Sequence, residues 1–179
     1  MKTMIGIVGR KRSGKDTLAV FVKEMLPDVN ILSFASPLKQ ACKHAYLLSD
    51  EQLDESKDVL DERWGMTPRD MMRSLGVDYF RTVDPQQWTK NMALRIQGGE
   101  SVENVASVVI SDVRFQNEAD FVRRNGGVLV HVARELPSNS DSHVSEATSD
   151  GIDCDHYIRN DGSLEDLREK LAVVLAGLS

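Results

Sequence analysis

Five short apolar runs punctuate the chain, at Met4–Val8, Asn30–Phe34, Ala106–Ser111, Gly127–Ala133 and His156–Arg159. Several are apolar at consecutive positions instead of alternating, the pattern of strands covered on both faces. Stretches with helical spacing separate them, so the chain reads as an α/β fold, a parallel sheet with crossover helices. Helix starts are marked by capping side chains. Ser36-Pro37, Thr67-Pro68 and Asp84-Pro85 each place an oxygen before a proline at the first helical position. Ser163 opens a last helix whose stripe of Leu164, Leu167, Leu171, Val174 and Leu175 forms one apolar face, with Gly177 as its stop. Helices predicted over 68–81 and 85–97 interrupt the strand–helix rhythm. They predict a helical lobe, residues 37–99, inserted in a single domain covering 1–179. The polar stretch 135–155 reads as a lid-like loop.

Composition narrows the setting. The chain has 179 residues and two cysteines, Cys42 and Cys154. That excludes a disulfide framework and sets the expectation of a reducing, cytoplasmic compartment. No apolar run reaches the length of a leader or a membrane span, so no membrane association is expected. The net charge of −6 is concentrated in Asp50–Glu62, which carries seven acids against Lys57; the other 21 acids and 21 bases balance. No basic surface is offered to nucleic acid. Asp50, Asp54, Asp58 and Glu62 recur every four residues and predict one acidic, solvated helical face. Cys42/His44 and Cys154/His156 do not match zinc-ligand spacing. Ser142-His143 has no nucleophile elbow around it, and His131 reads as a core histidine.

The chemistry is concentrated in Gly9-Arg10-Lys11-Arg12-Ser13-Gly14-Lys15-Asp16-Thr17, which follows the first strand and opens a helix predicted over Lys15–Leu26. Two glycines with four residues between them, then lysine, is the spacing of a phosphate-binding loop. Backbone N–H groups of such a loop wrap a phosphate chain, and Lys15 reaches its outer phosphates. The cations Arg10, Lys11 and Arg12 repel one another there unless an anion is bound. Where the usual loop has Ser or Thr for Mg²⁺, this one has Asp16 with Thr17 behind it, and either can serve the metal. A second element, Val108 to Arg114, is a buried strand ending in Asp112, where a P-loop protein holds the carboxylate that orders Mg²⁺; Arg114 faces the same cleft. Third, Arg69 and Arg73 share a helical face, with Arg81 further on. Arginine suits bidentate contact with phosphate oxygens, and Tyr79 and Trp88 offer flat surfaces for a base. Met71, Met72 and Leu75 read as packing.

These segments together resemble the phage deoxynucleoside monophosphate kinases. The similarity runs through GRKRSGKDT, Thr67-Pro68-Arg69 with Leu75-Gly76, Asp84-Pro85 with Trp88, Ser111-Asp112-Val113-Arg114-Phe115 with Asn117-Glu118-Ala119, and the tail from His156 to Gly162. The resemblance implies a P-loop kinase, three-layer α/β/α, with a five-stranded parallel sheet, a helical acceptor-binding lobe and a short lid. The implied activity is transfer of the γ-phosphoryl of ATP, with Mg²⁺, to a dNMP. It implies that Gly9, Lys11, Arg12, Ser13, Gly14, Lys15, Asp16 and Thr17 hold ATP, and that Asn160 and Asp161 border the adenine. Asp112 serves metal or acceptor, Arg69, Arg73 and Arg114 bind the acceptor phosphate, and Lys39, Tyr79 and Trp88 complete the acceptor set. Residues 135–155 contain no Lys or Arg, so transition-state charge falls to Arg10, Lys11, Arg12 and Arg134, with Arg12 the sharpest target. Pairing with a second copy as a homodimer stays open. Two rival readings are a phosphomevalonate-kinase-like enzyme, sharing a basic GKD loop, and an ATP-binding regulator without kinase activity.

Overall fold

The structure is a computed structural model and describes residues 3–98, 107–134 and 151–178. β1 (Thr3–Val8), β2 (Val29–Leu32), β3 (Ser107–Val113), β4 (Val128–Ala133) and β5 (His156–Arg159) form one parallel sheet in the order β2-β3-β1-β4-β5. β1 is central: Ile5 lies opposite Val109 on one side and Val128 on the other. Side chains alternate across it. Ile5 and Ile7 pack with Leu18, Ala19 and Val22 of α1 (Lys15–Met25) and with the C-terminal helix stripe Leu167, Leu171 and Leu175. Gly6 points the other way, where an added Cβ would meet Val122 of the helix Gln116–Arg124. The sheet thus has helices on both faces, as runs of consecutive apolar residues require.

Two compact units make up the chain, Met1–Ser33 with Ala93–Ser179, and Phe34–Met92. In the second, α2 (Ser36–Ala45), α3 (Asp50–Asp54), α4 (Pro68–Arg73) and a π-helix (Ser74–Arg81) pack around Cys42, Leu48, Leu53 and Met71. α5 (Gln87–Gln97) crosses the division between the units; α6 (Gln116–Arg124) and α7 (Leu164–Ala176) belong to the first.

Side-chain caps at Ser49, Thr67 and Ser163 open three of the helices. Thr67 Oγ1 accepts from the Asp70 N–H at 3.1 Å, and Ser163 and Asp166 exchange hydrogen bonds in a capping box. Ser36 does not cap: it is already the first helical residue, behind Ala35.

Two expectations need correction. The acidic helix ends after α3, at Asp54, and the carboxylates meet different cations instead of forming one solvated face: Asp50 pairs with Lys43, Asp54 with Lys39, Asp58 with Arg69 and Asp61 with Arg63. The helix over 68–81 changes type at Ser74 and finishes as the π-helix. Gly76 lies against Leu38 there, whose side chain would have to move to admit a Cβ. Of the lid-like stretch, residues 135–150, including Ser142 and His143, lie outside the described residues. In its last part Ile152 and Cys154 are buried while Gly151, Asp153 and Asp155 are exposed.

Candidate active site

Parallel strands bring their carboxyl ends to one edge of the sheet, and the loops there belong to one compact unit. Gly9 follows β1, Ser33 follows β2, Arg114 follows β3, Arg134 lies just beyond β4 and Asn160 follows β5. Open α/β sheets bind ligands at this edge.

The phosphate loop is held in a shape few residues can adopt. Gly14 has φ +102°, and Arg12, with φ +63°, is in the left-handed region without being glycine. A Cβ on Gly9 would fall on the Val132 carbonyl and 2.7 Å from Ser13 Oγ. The Ser13 N–H donates to the Arg10 carbonyl at 3.2 Å, and Lys15 Nζ donates to the same carbonyl at 2.6 Å. Lys15 is only 8% exposed. Ser13 Oγ is buried without a hydrogen-bond partner, a costly state for a hydroxyl. A phosphate oxygen supplies what that hydroxyl lacks, so the loop fits a phosphate chain. Arg12 and Asp16 are exposed and Thr17 is half-buried. Lys11, also half-buried, lies between Arg10 and Arg12 in this turn.

The strand-end acid has its own support. Ser33 Oγ donates to Asp112 Oδ2 at 2.8 Å, and the Arg95 guanidinium donates to the Ser33 carbonyl at 3.0 Å. One carboxylate held in this way suits Mg²⁺, which keeps several waters and takes one or two protein carboxylates beside substrate phosphates. Arg114 is exposed, but its backbone is fixed. Glu118, 2% exposed, accepts from the Arg114 N–H at 2.9 Å and the Phe115 N–H at 3.2 Å. The sequence reading missed Ser33, Arg95 and Glu118 as supports. Only Glu118 carried a local signal, an acid three residues into a helix.

At the far side of the sheet, Asn160 Nδ2 donates to the Ser13 carbonyl at 2.8 Å. Asp161 is held below the ordinary carboxylate range, first by its own backbone N–H and then by Lys170. Arg134 is exposed at the end of β4.

In the other unit, Arg69 pairs with Asp58, Arg73 with Asp70 at 3.5 Å, and Lys39 with Asp54. Tyr79 is exposed, its ring edge-on to Phe80. Trp88 corrects the expectation of a flat surface for a base. It is 6% exposed, its Nε1–H donates to the Gly76 carbonyl at 3.2 Å, and its ring meets Phe80 edge-on. Trp88 packs the lobe.

A strand, a glycine-strained lysine loop, a helix and an acid at the end of the neighbouring strand define a P-loop kinase fold. Comparison with solved structures agrees on the fold. TT1252 from Thermus thermophilus superposes with a TM-score of 0.55 at 18% identity, covering 99% of this chain and 98% of that one. Shikimate kinase from Aquifex aeolicus gives 0.50 at 13% identity, covering 98% and 97%. The profile of the family described as Deoxynucleotide monophosphate kinase matches residues 3–64 and 48–171. A protein of Acanthamoeba polyphaga mimivirus that bears that name provisionally is 41% identical over 155 residues, 80% of each chain. The deoxynucleotide monophosphate kinase of Escherichia phage RB69 is 28% identical over 164 residues, 90% of this chain but 65% of the phage protein. The chain belongs to the deoxynucleotide monophosphate kinase family. No helix among its described residues is long and apolar enough to cross a membrane.

Proposed function

We propose that this chain transfers the γ-phosphoryl of ATP to a deoxynucleoside monophosphate, yielding ADP and a dNDP for DNA-precursor synthesis. The observation that carries the reading is the phosphate loop. A buried lysine, a buried hydroxyl with no partner and a left-handed glycine converge where a triphosphate would lie. Family membership supports the nucleotide acceptor over phosphomevalonate, and the kinase over a silent ATP-binding regulator.

Positioning does most of the chemistry. The acceptor oxygen is already ionised near neutral pH, since the second phosphate pKa is about 6, so no strong general base is needed. Lys15 and the loop N–H groups hold the donor phosphates, and Arg12 and Arg114 meet charge on the transferring group. Asp112, held by Ser33, would carry Mg²⁺ together with Asp16 or Thr17; the ion supplies charge neutralisation on the phosphate oxygens when bound. Arg69, Arg73, Lys39 and Tyr79 form the acceptor set.

The test is coupled ADP release with ATP and Mg²⁺ over dAMP, dGMP, dCMP, dTMP, their ribose counterparts and 5-phosphomevalonate. Turnover with at least one dNMP is expected. Turnover with phosphomevalonate alone, or ATP binding with silence on the whole panel, would overturn the proposal.

A further inference from the structure

Asn160 is one of few buried polar side chains in the sheet-bearing unit, at 7% exposure, and it is anchored twice. Its backbone N–H donates to the Ala133 carbonyl at 2.7 Å, which ties it to the end of β4. Its side-chain Nδ2 donates to the Ser13 carbonyl, 147 residues away in sequence. The same nitrogen occupies the space where Gly14 would carry a Cβ, and Leu167 of α7 closes the space at 3.9 Å. Ser13 therefore has a left-handed residue on each side, Arg12 and Gly14, and its carbonyl oxygen is gripped by Asn160. A trans peptide is planar, with its C=O and N–H on opposite sides. Fixing the Ser13 oxygen toward Asn160 turns the Gly14 N–H away from Asn160.

We infer that Asn160 is a positioning residue of the phosphate loop: its side-chain amide orients the Ser13–Gly14 peptide so that the Gly14 N–H is presented to a phosphate oxygen. One of its two amide N–H groups is committed to Ser13. The left-handed conformation of Arg12 is strained alone, and the grip from beyond β5 offsets that strain. Loop shape thus depends on the last strand being in place. The inference rests on the nucleotide-binding reading above and adds the residue that sets the loop's geometry.

Calorimetric titration with ATP and with inorganic tripolyphosphate separates the possibilities, because tripolyphosphate has no base. Asn160→Ala is expected to weaken both ligands about tenfold, as loss of a buried hydrogen bond implies. Its KM for dNMP should stay within about twofold of wild type, since the acceptor does not use this peptide. Asn160→Leu, which fills the same space without a donor, should weaken both ligands alike. Leu171→Ala, a core truncation in α7, should lower the thermal midpoint yet leave tripolyphosphate affinity unchanged. Weakening of ATP alone would assign Asn160 to the base and overturn the inference. So would unchanged affinity in both Asn160 variants, or losses that follow the thermal midpoint as in Leu171→Ala. A wild-type protein that binds neither ligand would overturn the nucleotide reading itself, and the inference with it.

Discussion

Lys15 and Arg69 are both proposed to meet phosphate oxygens, and the chain prepares them in different ways. Lys15 is buried and donates to a neutral backbone carbonyl inside a loop with glycines at both ends. Arg69, in the other unit, is partly exposed and paired with a carboxylate, Asp58. A carboxylate competes with an anionic ligand directly, although an exposed pair is worth only about 0.2–1 kcal/mol. The loop is preorganised by backbone shape. The lobe stores its cations on exchangeable partners, and Lys39 with Asp54 and Arg73 with Asp70 repeat the pattern.

The contrast can be broken most sharply at Gly14. Gly14→Ala must place a Cβ on the Asn160 amide in a backbone at φ +102°. Left-handed strain and overpacking together should cost about 3 kcal/mol and abolish measurable ATP binding. Thermal melting and ATP titration check this, and near-normal binding would mean that the loop is not preorganised. A smaller effect is expected in the lobe. Arg69→Ala should raise the dNMP KM about tenfold with little change in ATP KM, the loss of a charge-assisted contact. An unchanged dNMP KM removes Arg69 from the acceptor set. Asp58→Asn sharpens the point, because relieving the competing charge should lower the dNMP KM about two- to threefold. If the KM rises instead, Asp58 orients Arg69 and the idea of storage fails.

The smallest effect is a pH dependence confined to the lobe. The Asp61 carboxyl is pulled from 3.8 to about 2, first by the Arg63 side chain, with Gln52 and the Arg63 N–H adding to it. A lowered folded-state pKa gives stabilisation that is present above the unfolded value and lost as pH falls through the folded one. The turn between Asp61 and Met66 should therefore hold at pH 4 and open around pH 2. Trp64, whose indole N–H donates to the Tyr46 carbonyl at 2.9 Å, reports the opening by fluorescence in a Trp88→Phe background. A transition near pH 4 would show that Arg63 does not hold Asp61. Asp61→Asn should remove this transition altogether.

What could be read in advance follows the range of the interactions involved. The strand–loop–helix at Gly9–Lys15, the strand His156–Arg159 and the caps at Thr67 and Ser163 are local, so residue type and spacing revealed them. The acidic segment does not form one solvated face: its carboxylates pair with Lys39, Lys43 and Arg69, partners that no period-four count includes. The π-helix has no residue signature of its own; Gly76 pressed on Leu38 becomes informative only in three dimensions. Trp88 looked like a ligand platform because an aromatic beside arginines looks alike whether it packs or stacks. At the candidate site, the loop's glycines and lysine were legible, whereas the supports from Ser33, Glu118 and Asn160 are long-range or backbone-directed.

The strand order also sets a timetable. β1 is made before the lobe, yet both of its partners, β3 and β4, come after it. Roughly a hundred residues separate Val8 from Ser107, or about 5–20 s of synthesis. During that interval the lobe, contiguous from Phe34 to Met92, can already fold on local contacts. The phosphate loop must wait longer, for β5 to deliver Asn160. The phosphate loop is made before the lobe yet acquires its working shape after it, and a stall or truncation before residue 160 would release a chain with a folded lobe and a slack loop.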